Sequence, residues 1–172
     1  MANSVMNKGQ RWFRFSPPLV LMTILSTLGG YLGTSSGSLA QSIFEDVSIN
    51  PRSADLPITI RGISGGLIPA GQVAEQQETE TGSCVGFVDQ EPDHTITLNT
   101  FADFLRLQIR SPEDTTLVIK GPGGIWCNDD ADGGKNPGIA GQWLPGSYEL
   151  WIGSYQKNKY YPYVIEINQT QE

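Results

Sequence analysis

Phe104-Leu105-Arg106-Leu107-Gln108-Ile109-Arg110 is the stretch that decides the fold. Leu105, Leu107 and Ile109 take every second position, and Arg106, Gln108 and Arg110 fill those between. Successive side chains of an extended chain point to opposite faces, so this run sets an apolar face on a core and a polar face in water. Shorter versions flank it. Ile58 to Ile63 and His94 to Leu98 alternate, and Thr115 to Lys120 is a β-branched strand. Cys84 to Val88 is short and apolar, and Phe44 to Ile49 holds a further short strand. Near the end, Tyr148, Leu150 and Ile152 share one face of a strand, as do Tyr163, Ile165 and Ile167. Turn residues punctuate the series at Ser64-Gly65-Gly66, Ser111-Pro112-Glu113-Asp114, Gly121-Pro122-Gly123-Gly124 and Gln156-Lys157-Asn158-Lys159. The polar, acidic residues 74–83 read as a surface loop. About eight strands at this spacing, with no convincing helix, predict an all-β protein, an antiparallel jelly-roll-like β-sandwich.

The N-terminal end is of another kind. Lys8, Arg11 and Arg14 form a basic region without acids, an apolar run extends from Leu19 to Leu32, and Ser38-Leu39-Ala40 places small residues for cleavage before Gln41. This is the pattern of a secretory signal peptide over residues 1–40, leaving one β-sandwich domain over 41–172. The competing reading is an uncleaved anchor. The apolar run is short and broken by Gly29-Gly30 for a span of ~20 residues. No Cys lies near the cleavage site, which argues against a lipoprotein anchor. The expected location is the periplasm or the cell exterior, with no membrane attachment after cleavage.

The whole chain of 172 residues carries 11 Lys+Arg and 18 Asp+Glu, a net charge of −7. Loss of the three basic signal residues leaves 8 basic side chains against 18 acidic, a formal −10. That charge argues against a nucleic-acid partner, which requires clustered cations. The two cysteines, Cys84 and Cys127, both lie in the exported part and read as one disulfide in an oxidising compartment.

Trp126-Cys127-Asn128-Asp129-Asp130-Ala131-Asp132-Gly133-Gly134-Lys135-Asn136-Pro137 carries the sharpest chemical signal. Asn128, Asp130 and Asp132, followed by Gly133, match the first half of a calcium-binding D-x-[DN]-x-[DN]-G loop. The twelfth position is Ile139, where a bidentate Glu is required. A calcium ion there needs further ligands from Asp129, Asn136, a backbone carbonyl or water. The alternative is turn chemistry, in which Asn and Asp side chains cap their own backbone.

Aromatic residues offer a second candidate surface. Trp126, Trp143, Trp151 and Tyr155, with Tyr160 and Tyr161, crowd the C-terminal half. Trp151 is out of phase with Tyr148, Leu150 and Ile152, and so faces away from their layer, to solvent or under a loop. Exposed aromatics on a sandwich stack on sugar rings, and buried ones close the ends of the core. Catalysis has little support. His94, the single histidine, reads as a strand-edge residue, no GxSxG elbow is present, and one His excludes the usual zinc sites.

Asp114-Thr115-Thr116-Leu117, Cys127-Asn128-Asp129-Asp130, Asn136-Pro137, Pro145-Gly146-Ser147-Tyr148 and Trp151-Ile152-Gly153-Ser154-Tyr155, in that order, resemble the bacterial pre-peptidase C-terminal domain of cyanobacterial exported type. The resemblance spans roughly residues 94–167 and implies a non-catalytic jelly-roll-like sandwich. In that family the domain is usually attached to secreted proteases, with roles in secretion, substrate binding or calcium-assisted folding. These 172 residues hold no peptidase domain. The expected function is an exported, non-catalytic binding or accessory module, with calcium as its implied cation. The alternatives are a calcium-dependent carbohydrate-binding module and a structural protein of the cell envelope. The corresponding partners are a polysaccharide or an envelope protein.

Overall fold

A computed structural model describes residues 46–53, 56–131 and 133–170. The expected signal segment, residues 1–40, lies outside the described residues, as does Asp132. The elements run β1 (Val47–Ile49), β2 (Ile58–Ser64), β3 (Ile68–Pro69), α1 (Ala70–Val73), β4 (Glu78–Thr79), β5 (Gly82–Ser83) and β6 (Phe87–Val88). They continue with β7 (His94–Leu98), β8 (Ala102–Arg110), β9 (Thr115–Gly121), β10 (Gly124–Asn128), β11 (Gly138–Trp143), β12 (Gly146–Ser154) and β13 (Tyr161–Asn168).

The long strands form two sheets. The smaller has the order β11-β8-β13-β2, antiparallel throughout. In the larger, β12 pairs with β7 and then β6 along one edge and with β9 along the other. β10 extends this sheet beyond β9, β1 joins β7 in parallel, and β3 joins β6. The chain crosses between the two sheets repeatedly, entering the smaller one at β2, β8, β11 and β13, so two alternating faces close on one core.

The alternation in β8 does what its pattern predicts. Leu105, Leu107 and Ile109 are buried, with Tyr163, Ile165 and Ile167 beside them, against Leu117, Ile119, Leu150 and Ile152 of the opposite sheet. Full burial of each such side chain is worth ~1.5–3 kcal/mol, so this layer supplies most of the apolar driving force. The β9–β10 hairpin turns through Gly123, whose φ of +102° disfavours any side chain.

A second, smaller core lies on the other face of the larger sheet. Val118 and Trp151 point there and are covered by Ala70, Ala74, Val88 and the Cys84–Cys127 disulfide. The segment from β3 to β6 is therefore a lid over the sheet, and residues 74–83 are more than a loop. They contain the β4–β5 hairpin, and α1 precedes them as a single helical turn. The strand expected over Cys84 to Val88 shrinks to Phe87–Val88, because Cys84 turns away to join Cys127. Strand β11 is an addition to the predicted set.

Candidate functional site

The acidic loop between β10 and β11 is tied to the surrounding segments by the side chains of its two asparagines. Asn128 Nδ2 donates to Thr81 O at 2.9 Å, and Asn128 Oδ1 accepts from Gly138 N at 3.0 Å. Asn136 Oδ1 accepts from Thr115 Oγ1 at 2.7 Å, and its Nδ2 donates to Ser111 O at 2.8 Å. Both amides of the candidate cation set thus hold the loop to its neighbours. The carboxylates are partly buried close to one another. Partial burial raises the pKa of Asp114, and Asp130 and Asp129 beside it add to the rise. Partial burial also raises that of Asp129, with Asp130 again contributing. Among the described residues, no group of three or more His, Cys, Asp or Glu side chains is disposed to hold a metal ion.

Of the four candidate ligand-binding aromatics, Trp126 and Trp143 meet, while Trp151 and Tyr155 lie elsewhere. Trp143 is buried in the main core, and its Nε1 donates to Leu105 O. Trp126 is half-buried and stacks on it, with ring centroids 6.4 Å apart, while Tyr148 packs against both. With Ile139 and Gln142 they line a slot of about 190 Å³ between the edge strands β10 and β11. The Tyr148 hydroxyl, at the wall of this slot, donates to Leu144 O. Trp151 lies on the opposite side of the larger sheet, 5% exposed, in the second core. Its phase along β12 turns it away from Leu150 and Ile152, and of the two expected surroundings, solvent or a covering segment, it has the second. Tyr155, at the end of that strand, is 53% exposed and stands apart.

His94 corrects the expectation of a strand-edge residue. His94 pairs with Leu150 of β12 and shares the buried face of β7 with Ile96 and Leu98, so it is interior and 1% exposed. Its Nε2 and the Tyr163 hydroxyl share a 2.7 Å hydrogen bond that joins the two sheets through the core. Gly62 makes room for this bridge, since a Cβ there would lie 2.2 Å from the Tyr163 hydroxyl oxygen. Next to His94, Asp93 is also buried, and its Oδ2 accepts from Ile152 N at 2.7 Å. Burial drives the Asp93 carboxyl up to about 7, opposed by the Ile152 hydrogen bond and assisted by Asp89. The Tyr163 hydroxyl is pushed up as well, by burial and then by Asp93. The cluster is sealed inside the sandwich and reads as a structural bridge.

The outer face of the smaller sheet is a site that the sequence reading passed over. Register sets its side chains in rows: Arg61, Val164 and Arg110 in one, Thr59, Glu166 and Gln108 in the next, Asn168 and Arg106 in a third. An open groove of about 1240 Å³ runs over this face and is bounded by Lys135 and Asn136 of the acidic loop. Arg110 Nε donates to Glu166 Oε2 at 2.6 Å, with the Arg110 side chain 65% exposed. Gln108 Nε2 donates to Pro137 O, tying the groove floor to the loop. The signal was present in the sequence, in the polar half of the β8 alternation. That half has no meaning as a site until β13 and β2 are placed beside it.

No protein-family model matches the chain. An uncharacterised protein of Synechococcus elongatus is 27% identical over 123 residues, which cover 67% of this chain and 90% of the relative. Among solved structures, the pre-peptidase C-terminal domain of a collagenase from Bacillus anthracis is similar, with a TM-score of 0.41 and 16% identity. That match covers 72% of this chain and 95% of the domain. A mutant of a periplasmic inhibitor of g-type lysozyme from Escherichia coli is similar at a TM-score of 0.35 and 16% identity, over 72% of this chain and 96% of the inhibitor. The first of these belongs to the domain family that the C-terminal motifs resemble.

Proposed function

We propose that this chain is an exported, non-catalytic binding module whose ligand face is the outer face of the smaller sheet, and that its ligand is a polysaccharide. The open groove over β8 and β13 carries this reading. It is longer and more open than the enclosed, mostly apolar pockets that take small molecules. Its walls present guanidinium, carboxylate, amide and hydroxyl groups from rigid strands, a lining suited to an extended, hydroxyl-rich chain. The disulfide and the signal-like N-terminus support export. The sealed position of His94 supports a non-catalytic role, because a general base must reach its substrate.

Amide chemical shifts of the uniformly ¹⁵N-labelled protein, followed during titration with soluble oligosaccharides, test this reading. Saturable shifts clustered on β8 and β13 are expected. Shifts confined to Trp126 and Gln142 would move the site to the aromatic slot, and an unchanged spectrum across a broad panel would reject saccharide binding.

Calcium is a second reading, in the service of stability rather than recognition. The partial burial of Asp114 and Asp129, with the charge of Asp130 beside both, favours it, since a cation offsets the cost of keeping these carboxylates ionised. On this reading the carboxylates, with backbone carbonyls and water, supply the ligands.

A further inference from the structure

We propose that the slot between β10 and β11 is a peptide-binding site, in which an extended segment of a partner protein adds to the free edge of β11 and sets one phenylalanine-like ring against Trp126 and Trp143. The slot shares no lining residue with the outer-face groove, so the inference stands apart from saccharide binding there. It starts from the strand edges. Among the described residues β10 pairs with β9 alone and β11 with β8 alone, so each ends its sheet. Ile109 N donates to Pro137 O at 2.9 Å, and the antiparallel register repeats that bonding at Ile139 and Gly141. The N–H and C=O of Gly138 and Ala140 therefore point away from β8. On β10, Cys127 N donates to Thr79 Oγ1 at 3.0 Å and Cys127 O accepts from Thr81 Oγ1 at 2.8 Å. Cys127 thus turns its backbone groups outward from β9, and by the same alternation so does Ile125.

The seam between these two edges is closed at one level and open at the next. At Cys127 and Gly138 the two threonines cap one edge, and Asn128 Oδ1 accepts from Gly138 N on the other at 3.0 Å. At Ile125 and Ala140 no side chain of the described residues takes that part, and Ala140 and Gln142 are exposed. The slot lies at this open level, with Ala140, Gly141 and Gln142 along its rim. A Cβ built on Gly141 meets no atom within 4 Å, so the rim is clear. Outward N–H and C=O groups on a fixed edge are completed by the backbone of another extended chain.

The slot says which side chain that segment carries. Ala140 faces the outer side of its sheet, as its register partner Arg106 does. A residue bonded across from Ala140 therefore faces out too, and its neighbours face the slot. The volume of about 190 Å³ suits one ring. An apolar cavity of ~150 Å³ already takes benzene. Trp126, Trp143 and Tyr148 offer ring faces and edges for offset or edge-on packing. Three donors of the lining are spent on the protein's own carbonyls: Trp143 Nε1 on Leu105 O, the Tyr148 hydroxyl on Leu144 O and Thr81 Oγ1 on Cys127 O. A sugar ring brings hydroxyls that these groups no longer answer as donors, and burying them unpaired is costly. A phenyl ring needs no such answer.

The test titrates the blocked peptide acetyl-Thr-Thr-Phe-Thr-Thr-amide into the ¹⁵N-labelled exported chain. Saturable shifts are expected at the Ala140 and Gln142 amides and at the Trp126 indole N–H, with β2 and β13 unchanged. Alanine in place of the phenylalanine should weaken binding roughly tenfold or more. N-methylation of the two residues beside the phenylalanine removes N–H groups that face the edge and should weaken it several-fold. Ala140→Pro deletes the matching N–H of the protein, at an edge position where proline is tolerated, and should weaken binding to a similar degree with little change in the melting curve. The N-methylated peptide tests the same bonding with the protein unaltered, so the proposal stays open to refutation if that variant melts early. Equal affinity of the alanine peptide overturns the aromatic slot as the reader of the side chain. Equal affinity of the N-methylated peptide overturns edge addition. Shifts at these residues from maltohexaose, with none from the peptide, overturn the proposal in favour of a sugar subsite. No shifts from the peptide up to its solubility limit overturn it outright and leave the reading of the outer face untouched.

Discussion

Asp93 shows how much one residue can depend on its surroundings. In sequence it belongs to a turn with Pro92, next to a lone histidine. In the fold its carboxyl is buried, bonded to Ile152 N and raised to about 7. An acid raised in the folded state stabilises the fold only while it is protonated. Between about pH 4 and pH 7 the folded protein therefore keeps a proton that the unfolded chain has released, so stability falls as pH rises through that window and levels off above it. The shift corresponds to a loss of up to ~4 kcal/mol. Asp93→Asn retains an oxygen for the Ile152 N–H and removes the titration. Urea unfolding at several pH values should show the slope in the natural protein and a clearly shallower one, with greater stability at pH 8, in the variant. Neither this nor the His94–Tyr163 bridge was legible beforehand. Both depend on β7 lying between β1 and β12, and on Gly62 leaving space opposite Tyr163.

At the scale of elements, strands with one wet face declared themselves and strands with two dry faces misled in part. β8 and β13 alternate cleanly because their outer faces meet solvent. β12 buries both faces from Leu150 to Ser154, so its phase placed Trp151 opposite Leu150 without revealing what covers it. β11 escaped notice because Gly138-Ile139-Ala140-Gly141 has little β propensity of its own and pairs through β8, with a register irregularity after Gly141. The lid from β3 to β6 is held by Trp151 and the disulfide. Closing that loop of 43 residues stabilises the fold by about 4 kcal/mol on the chain-entropy model. Cys84→Ser/Cys127→Ser should lose ~2–5 kcal/mol in denaturant unfolding. Hydrogen exchange should rise first at Ala74 and Cys84, whose amides bond within the lid, and later in β8 and β13. Uniform acceleration across both sheets would show that the lid has no independent stability.

For the whole molecule the open question is what the acidic loop does for the fold. A thermal melt of the exported protein in EDTA and then in millimolar calcium addresses it. If calcium binds, the melting temperature rises saturably, by ~2.7 kcal/mol of added stability at a hundredfold excess over Kd, and the gain disappears in Asp129→Asn/Asp130→Asn. Coincident melts would leave the loop as the hydrogen-bonded turn that Asn128 and Asn136 already make. The acidic run was visible as a motif, but the engagement of its two amides was not, because their partners Thr81, Ser111 and Thr115 come from distant positions in the chain.

The sequence by itself determined the all-β class, the faces of the principal strands and the two cysteines available to pair. These follow from a period-two pattern and from counting, and both are local. Tertiary structure alone decided which strands became neighbours. That choice buried His94 and Trp151, engaged the loop amides and aligned Arg61, Arg106 and Arg110 on one outer face. A surface of this kind is assembled from strands far apart in the chain, with Val164 the register partner of both Arg61 and Arg110. Its chemistry arises from strand register, which is set by the fit of the whole core rather than by any one segment.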